Sequence, residues 1–402
     1  MEKLKAMVAA EVDAHREELI ELSLSIHQNP ELGFQEVKAF RWLTSYLKRN
    51  TFKVEKGICQ LTTAFRGSYG SGKPTVALVA EYDALPKLGH ACGHNIIAAA
   101  AVGAAVALRG AIDQLGGSVV VIGTPAEELY AAKAIMLQRG AFEDIDAAMM
   151  VHPGVLDIAG TEALACITVE IEFFGKAAHA AARPEEGINA LEAIIQAFNG
   201  INSLRQHIRE RARIHGIITQ GGEAANIVPS YSAGSFVVRA EDEAYLDELK
   251  GKVINCFKAA SLATGARLEY KWSEGYYAPM RINLAMAELF TKNIEALGRR
   301  MQPPLSRPYA STDMGNVSAV VPSIHPYLAI APLEVMTHSP EFCWAAASET
   351  GHRGLLDGAK AMAMTVVDLI AQPETMARIE EEFLQNNGGA PRLTPIADER
   401  GS

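Results

Sequence analysis

Thiol, imidazole and paired carboxylate groups recur at three places in the first half of the chain. His90-Ala-Cys92-Gly-His94 stands at the mouth of an apolar, Ala-rich run. Glu127 and Glu128 close the segment Gly-Thr-Pro-Ala-Glu-Glu. His152 opens His-Pro-Gly. Such groups together suit Zn²⁺ or, with more carboxylate, Mn²⁺. Taken singly each has a plainer reading. A Cys-x-His occurs by chance, and no second CxxC or HxxxH is close enough for a zinc finger. A Glu pair is usually solvated, and a His after a strand is often a satisfied polar group. The Glu pair has a logic of its own: adjacent carboxylates on a loop point in different directions, so one can bind a cation while the other faces a substrate. A water on such a cation has its pKa pulled towards about 7, and a free carboxylate beside it can take that proton and pass it to a leaving amine. We assign Glu127 as the base and Glu128 as the ligand; spacing alone leaves their order open.

The three segments become one site because of the elements before them. Residues 75–80, 118–122 and 147–151 are short apolar runs, separated by helices expected at about 95–109 and 131–139. Near-continuous apolar strands alternating with helices imply a doubly wound, mostly parallel α/β sheet. Ligands of such sheets gather at the carboxyl ends of the strands, so three strand ends deliver Cys92, His94, the Glu pair and His152 to one crevice. Helices at 3–27 and 36–49 precede the sheet. Near residue 165 the pattern changes to Ile-Thr-Val-Glu-Ile-Glu-Phe at 167–173, which alternates strictly, as a sheet with one wet face does. A helix at 186–210, strands at about 214–219 and 232–240, a helix at 242–263 and a strand at 267–272 complete a β-α-β-β-α-β order, the split unit of a ferredoxin-like α+β domain. The expected organisation is a catalytic domain of residues 1–165 and 278–385, an inserted domain of 166–277, and a loose tail at 386–402.

Composition narrows the function classes. The 402 residues are 49% hydrophobic and 21% charged, with a net charge of −10 and no basic face. Disorder and nucleic-acid partners are therefore not expected. The longest apolar run, residues 96–108, is 13 residues, shorter than a membrane span. The first residues read as a charged amphipathic helix and not a signal peptide. Five scattered cysteines, an odd number, point to a reducing, cytoplasmic setting without disulfides.

In these residues the sequence resembles the two-metal aminoacylase and carboxypeptidase family, in the branch of aminobenzoyl-glutamate hydrolase, indole-acetyl-amino-acid hydrolases and related dipeptidases. The matching stretches run in one order through most of the chain: His27-Gln-Asn-Pro-Glu-Leu-Gly-Phe34, Glu81-Tyr-Asp-Ala-Leu-Pro86, Gly89-His-Ala-Cys-Gly-His-Asn95, Gly123-Thr-Pro-Ala-Glu-Glu128, Gly175-Lys-Ala-Ala-His-Ala180, Ala225-Asn-Ile-Val-Pro229, Ser311-Thr-Asp-Met-Gly-Asn-Val317 and Thr337-His-Ser-Pro-Glu-Phe342. The resemblance implies that Cys92, His94, Glu128, His152 and His338 hold two divalent ions, Mn²⁺ or Zn²⁺, with Glu127 as general base. It singles out His338 from His325, and it implies that Asp83 orients the cluster from behind. It also implies that the inserted domain serves as a dimerisation and lid domain. His179 would reach the active site of the partner subunit in a homodimer and hold the carbonyl oxygen as it gains charge. Asn226 and Arg239 would face a small carboxylate-bearing substrate. One departure bears on that substrate: Leu129-Tyr130-Ala131-Ala132-Lys133 stands where family members commonly carry glycines, so a narrower or more aromatic pocket is expected. The reading is a metal-dependent amidohydrolase of N-acyl or N-aroyl amino acids or dipeptide-like amides. Two alternatives stand beside it: a hydrolytic deaminase of an activated aromatic amine on the same centre, and a non-catalytic binding protein on this fold.

Overall fold

Seven consecutive buried residues, Thr-Val-Ala-Leu-Val-Ala-Glu, form the strand around which the larger unit is built. In this computed structural model, which describes residues 1–303, 310–386 and 400–401, the strands are β1 (Lys53–Lys56), β2 (Phe65–Ser71), β3 (Thr75–Glu81), β4 (Gly117–Thr124), β5 (Ala147–Met149), β6 (His152–Gly154), β7 (Ala165–Phe174), β8 (Arg213–Gln220), β9 (Tyr231–Ala240), β10 (Arg267–Trp272), β11 (Ser323–Ile324), β12 (Tyr327–Ala329) and β13 (Arg400–Gly401). The chain divides into two compact units. One holds residues 1–162 and resumes at 280; the other holds residues 163–279.

In the first unit the sheet order is β1-β2-β4-β3-β5-β11. The pairs β4/β3, β3/β5 and β5/β11 are parallel, while β1 and β2 add an antiparallel edge. The chain leaves β3 for β4 on one side and then crosses to β5 on the other, so β3 is the point at which the winding reverses. Crevices at the carboxyl ends of strands flanking such a point are where α/β sheets bind ligands. The helix His94–Ala107 follows β3, packs on β3 and β4, and is buried along its whole length. Its run of Ala side chains lets the helices Glu2–Ala14, Arg16–His27 and Glu349–Ala371 approach closely. A Cβ on Gly103 would lie 2.7 Å from a Leu19 methyl carbon. The expected helix at 3–27 is broken at His15, whose φ of −95° and ψ of 8° leave the helical region. β1 and β2 went unforeseen: Lys-Val-Glu-Lys and Phe-Arg-Gly-Ser-Tyr-Gly-Ser carry little apolar patterning, because an edge pair is only half covered.

The second unit has the strand order β10-β7-β9-β8, all antiparallel, with β13 on its outer edge. This is the strand order of the ferredoxin-like unit expected from the β-α-β-β-α-β succession. Ala165, Ile167, Val169, Ile171 and Phe173 of β7 face the core, and Thr168, Glu170 and Glu172 do not. The helices Ala190–Leu204 and Glu243–Thr264 cover that face. Each is N-capped by a side chain, Asn189 in the first and Asp242 in the second, which satisfies backbone donors left open at the helix start. The buried stripe of the first of these helices is Ala190, Ala193, Ile194, Ala197 and Ile201. The larger Ile188, Leu191 and Phe198 pack only at its margins. The small residues set the close approach, a point hydrophobicity alone does not reveal. The expected loose tail lies outside the described residues, apart from Asn386 at the end of a helix and β13.

Candidate metal centre

The carboxyl end of β3 runs into Tyr82 and Asp83, both buried. Asp83 organises the residues around it. His94 Nδ1 donates to the Asp83 carbonyl at 3.0 Å and to its Oδ1 at 3.1 Å, and the Glu128 N–H donates to its Oδ2 at 3.0 Å. Burial works against a charged Asp83, but the His94 contact outweighs it and holds the carboxyl below its ordinary range. With Nδ1 engaged, His94 presents Nε2 on its other side. That atom lies 3.5 Å from Glu81 Oε2 and 3.8 Å from Glu128 Oε1, and all three atoms are buried without a hydrogen-bond partner.

Gly93 explains how His94 and His152 come together. It caps the helix in the left-handed conformation, φ 78°, and a Cβ there would lie 2.4 Å from Pro153 Cγ. Only glycine admits this approach of the helix start to β6. His152, the first residue of β6, is anchored by its N–H to the Pro326 carbonyl at 2.8 Å. Its Nδ1 donates to the Pro153 carbonyl at 2.6 Å, which leaves Nε2 facing Cys92 Sγ at 3.5 Å. Burial, with the His94 charge nearby, lowers the His152 pKa to about 3, so the ring is neutral, as a ligand must be.

Two alanines bracket the Glu pair. Ala126 (φ 55°) and Ala131 (φ 47°) are both left-handed and flank the short helix Glu127–Tyr130. The Ala126 N–H is held at 2.8 Å by Glu36 Oε1, a buried carboxylate that also accepts from Thr63 Oγ1 at 2.9 Å. Glu127 and Glu128 then diverge: Glu127 faces Glu81 and Asp313, while Glu128 faces His94 and, at 3.7 Å, His338 Nε2. His338 is left-handed at φ 61° and donates its N–H to the Ala91 carbonyl at 3.0 Å, which ties it to the residue before Cys92. Its side chain is half exposed.

Burial is the main force on the acids. It raises Glu128 to about 7 and, reinforced by Glu81, Asp313 and Glu128, lifts Glu127 well above the usual carboxylate range. It also raises the Cys92 thiol. A divalent cation among them reverses each effect. The donor sets Cys92–His94–His152, Cys92–Glu128–His338 and His94–Glu127–Glu128 each place their ligand atoms within 4.8 Å of one another. These residues fit two cations.

All seven expected residues of the first unit therefore meet: Asp83, Cys92, His94, Glu127, Glu128, His152 and His338. Glu81, Lys133, Asp313 and His325 were not singled out. His325 is buried, with its ring centroid 5.4 Å from that of His152; the carboxyl end of β11 was its only signal. In the second unit His179 and Asn226 are neighbours and exposed. The Ala180 N–H donates to the Asn226 carbonyl at 3.0 Å. Arg239 is half-buried near the end of β9, beside Arg213 of β8.

Known proteins share this organisation. Residues 165–264 match the model of the peptidase dimerisation domain. The Xaa-Arg dipeptidase of Mus musculus is 38% identical over 400 residues, covering 95% of this chain and 93% of that protein. One of the p-aminobenzoyl-glutamate hydrolase subunits of Escherichia coli is 28% identical over 98% of both chains. Among solved structures, an aminobenzoyl-glutamate utilization protein from Klebsiella pneumoniae superposes with a TM-score of 0.72 at 18% identity, covering 90% of this chain and 98% of that one. A dinuclear metal-binding peptidase of the M20 family from Bacillus subtilis does so with a TM-score of 0.66 at 21% identity, covering 89% and 99%. The fold is shared with these structures, and on the strength of the dipeptidase match the chain belongs to the M20 peptidase family and is a metal-dependent amidohydrolase.

Proposed function

We propose that the chain hydrolyses the amide bond of an N-acyl or N-aroyl amino acid or a dipeptide-like substrate with a free carboxylate. Two divalent ions, Mn²⁺ or Zn²⁺, are held by Cys92, His94, Glu128, His152 and His338. The observation that carries this reading is the set of buried, unpartnered ligand atoms, His94 Nε2 and Glu128 Oε1, facing each other beside Cys92 and His152. When bound, the ions supply Lewis acidity towards the carbonyl and acidify water.

The chain's own groups do the rest. Glu127 takes the proton of the attacking water and later gives it to the departing amine. Glu127 lies beside Glu81 and Asp313, whose negative charge favours its keeping a proton between the two steps. Asp83 fixes the His94 ring. His179, contributed by the partner subunit of a homodimer, donates to the carbonyl oxygen as it gains charge. Its Nδ1 accepts from the N–H groups of Ala181 and Ala182 at 3.3 and 3.2 Å, so the proton resides on Nε2 and can be donated. Arg239 pairs with the substrate carboxylate, and Asn226 faces the substrate. The names of the relatives, Xaa-Arg dipeptidase and p-aminobenzoyl-glutamate hydrolase, support amides of this class. The five free cysteines among the described residues suit a reducing cytoplasm. Among those residues no single helix is long and apolar enough to cross a membrane.

A second reading, hydrolytic deamination of an activated aromatic amine, draws on Leu129 and Tyr130 of the short helix that carries Glu127; the ring centroid of Tyr130 lies 5.0 Å from that of Phe34. A screen of the Mn²⁺- and Zn²⁺-loaded protein on aminobenzoyl-glutamate, indole-acetyl conjugates, β-alanyl and Xaa-Arg dipeptides and nitroanilines separates the two. Amide cleavage is the expected result. Ammonia release from nitroanilines alone favours the second reading, and no turnover of any amide overturns the first.

A further inference from the structure

Beside Glu127 lie two further acids, Glu81 and Asp313, that are not among the proposed metal ligands. Glu81 ends β3, and Asp313 immediately precedes the helix Met314–Ser318; both are buried. With Glu127 they offer three carboxylate oxygens within 4.8 Å of one another, a spacing that suits a divalent cation. A cation of another kind is already there. Lys133 Nζ donates to Asp313 Oδ1 at 2.7 Å and to Glu81 Oε1, and the Lys133 N–H donates to Asp313 Oδ2 at 3.0 Å. The Lys133 side chain has no exposure to solvent. Burial alone would neutralise such an amine, but Asp313 and Glu81 outweigh it and keep it charged. The other oxygen of Glu81 has no hydrogen-bond partner and lies 3.5 Å from His94 Nε2. One carboxylate thus links the ammonium to the ligand set.

We propose that Lys133 is a built-in cation of this centre: its ammonium fills the Glu81–Glu127–Asp313 site in place of a third divalent ion and, by tethering Glu81 and Asp313, positions Glu127 as the base. The inference rests on the two-metal reading. Lys133 is a positioning residue and does not touch substrate. Two divalent ions leave the acids crowded here with excess negative charge, and a fixed ammonium offsets part of it without opening a further coordination site. The segment that departs from the glycine-rich pattern therefore ends in a residue that serves the centre. Ala132 and Lys133 open the helix Ala132–Gln138, and from there the ammonium reaches Glu81 and Asp313.

The test is metal content per folded chain after equilibrium dialysis against Mn²⁺, with circular dichroism, kcat and KM. It compares wild type, Lys133→Ala, Lys133→Arg and the double variant Lys133→Ala/Asp313→Asn. Wild type and Lys133→Arg are expected to hold two ions. Lys133→Ala is expected to take up a third, weaker ion and to lose about a hundredfold in kcat with little change in KM. The double variant, one acid poorer, is expected to return to two. Folding of Lys133→Ala only in proportion to added Mn²⁺ supports the proposal equally. Two ions and wild-type kcat in folded Lys133→Ala overturn it. So does a Lys133→Ala that never folds beside a double variant with two ions and undiminished kcat. A wild-type chain that binds no ion refutes the two-metal reading instead, and the two failures are thereby told apart.

Discussion

Glu127 and Glu128 are neighbours in sequence with different surroundings, and the difference suits the different roles proposed for them. Glu128 shares its space with His94 and His338, whereas Glu127 turns towards Glu81 and Asp313. Glu127→Gln is expected to keep both ions and to lose kcat by about 10²–10⁴-fold, measured on whichever amide the wild type cleaves best. Glu36 supports a different prediction. Burial, with the Asp83 charge nearby, raises its pKa from the usual 4.5 to about 7. The folded state therefore binds more protons than the unfolded state between these values. The contribution of Glu36 to stability is full below about 4.5 and is lost as pH rises to about 7. The Glu36→Gln side chain can accept from Ala126 and Phe34 as Glu36 does, but it does not titrate. Thermal unfolding at a series of pH values is expected to show wild type losing about 2–3 kcal/mol relative to Glu36→Gln across this window. A constant difference would contradict the assignment. Legibility at this scale followed chemistry. Cys92, His94, Glu128 and His152 stood at strand ends in types that bind cations. His338 was named only through the family pattern, because 185 residues separate it from His152 and its left-handed backbone leaves no trace in composition. Lys133 and Asp313 were not legible as a pair, since a lysine on an amphipathic helix reads as solvated until its burial is seen.

Elements aim these side chains. β3, β4 and β5 were readable because fully buried parallel strands are continuous apolar runs, and the split β-α-β-β-α-β unit was readable because its strands alternate. β1 and β2 were not, being a polar edge pair. The single most exposed dependence of site on element is the contact between Gly93 and Pro153, which brings the start of one helix against β6. Gly93→Ala adds a Cβ at φ 78° that would meet Pro153 Cγ at 2.4 Å. The left-handed backbone and the overlap together are expected to cost about 2–4 kcal/mol, read from the unfolding midpoint. Because His94 and His152 move apart with it, metal affinity is expected to fall in the same variant. Unchanged affinity with lowered stability would show that the ligands do not depend on this approach.

The dimerisation-domain match, residues 165–264, covers the unit that carries His179, Asn226 and Arg239, while the proposed ligands lie in the other unit. An active site shared across a homodimer makes a prediction that no single-chain site does. Glu127→Gln and His179→Ala, each inactive alone, are expected to regain part of the wild-type rate when their subunits are mixed and allowed to exchange, because some mixed sites then draw an intact Glu127 and an intact His179 from different chains. No recovery on demonstrated exchange would return His179 to its own chain or to the surface. The central claim is the pair of divalent ions, and its most direct measurement is anomalous diffraction from crystals grown with Mn²⁺ or Zn²⁺. The account predicts two anomalous peaks per chain, enclosed by Cys92, His94, Glu128, His152 and His338. Peaks elsewhere, or none among these five side chains, would contradict it.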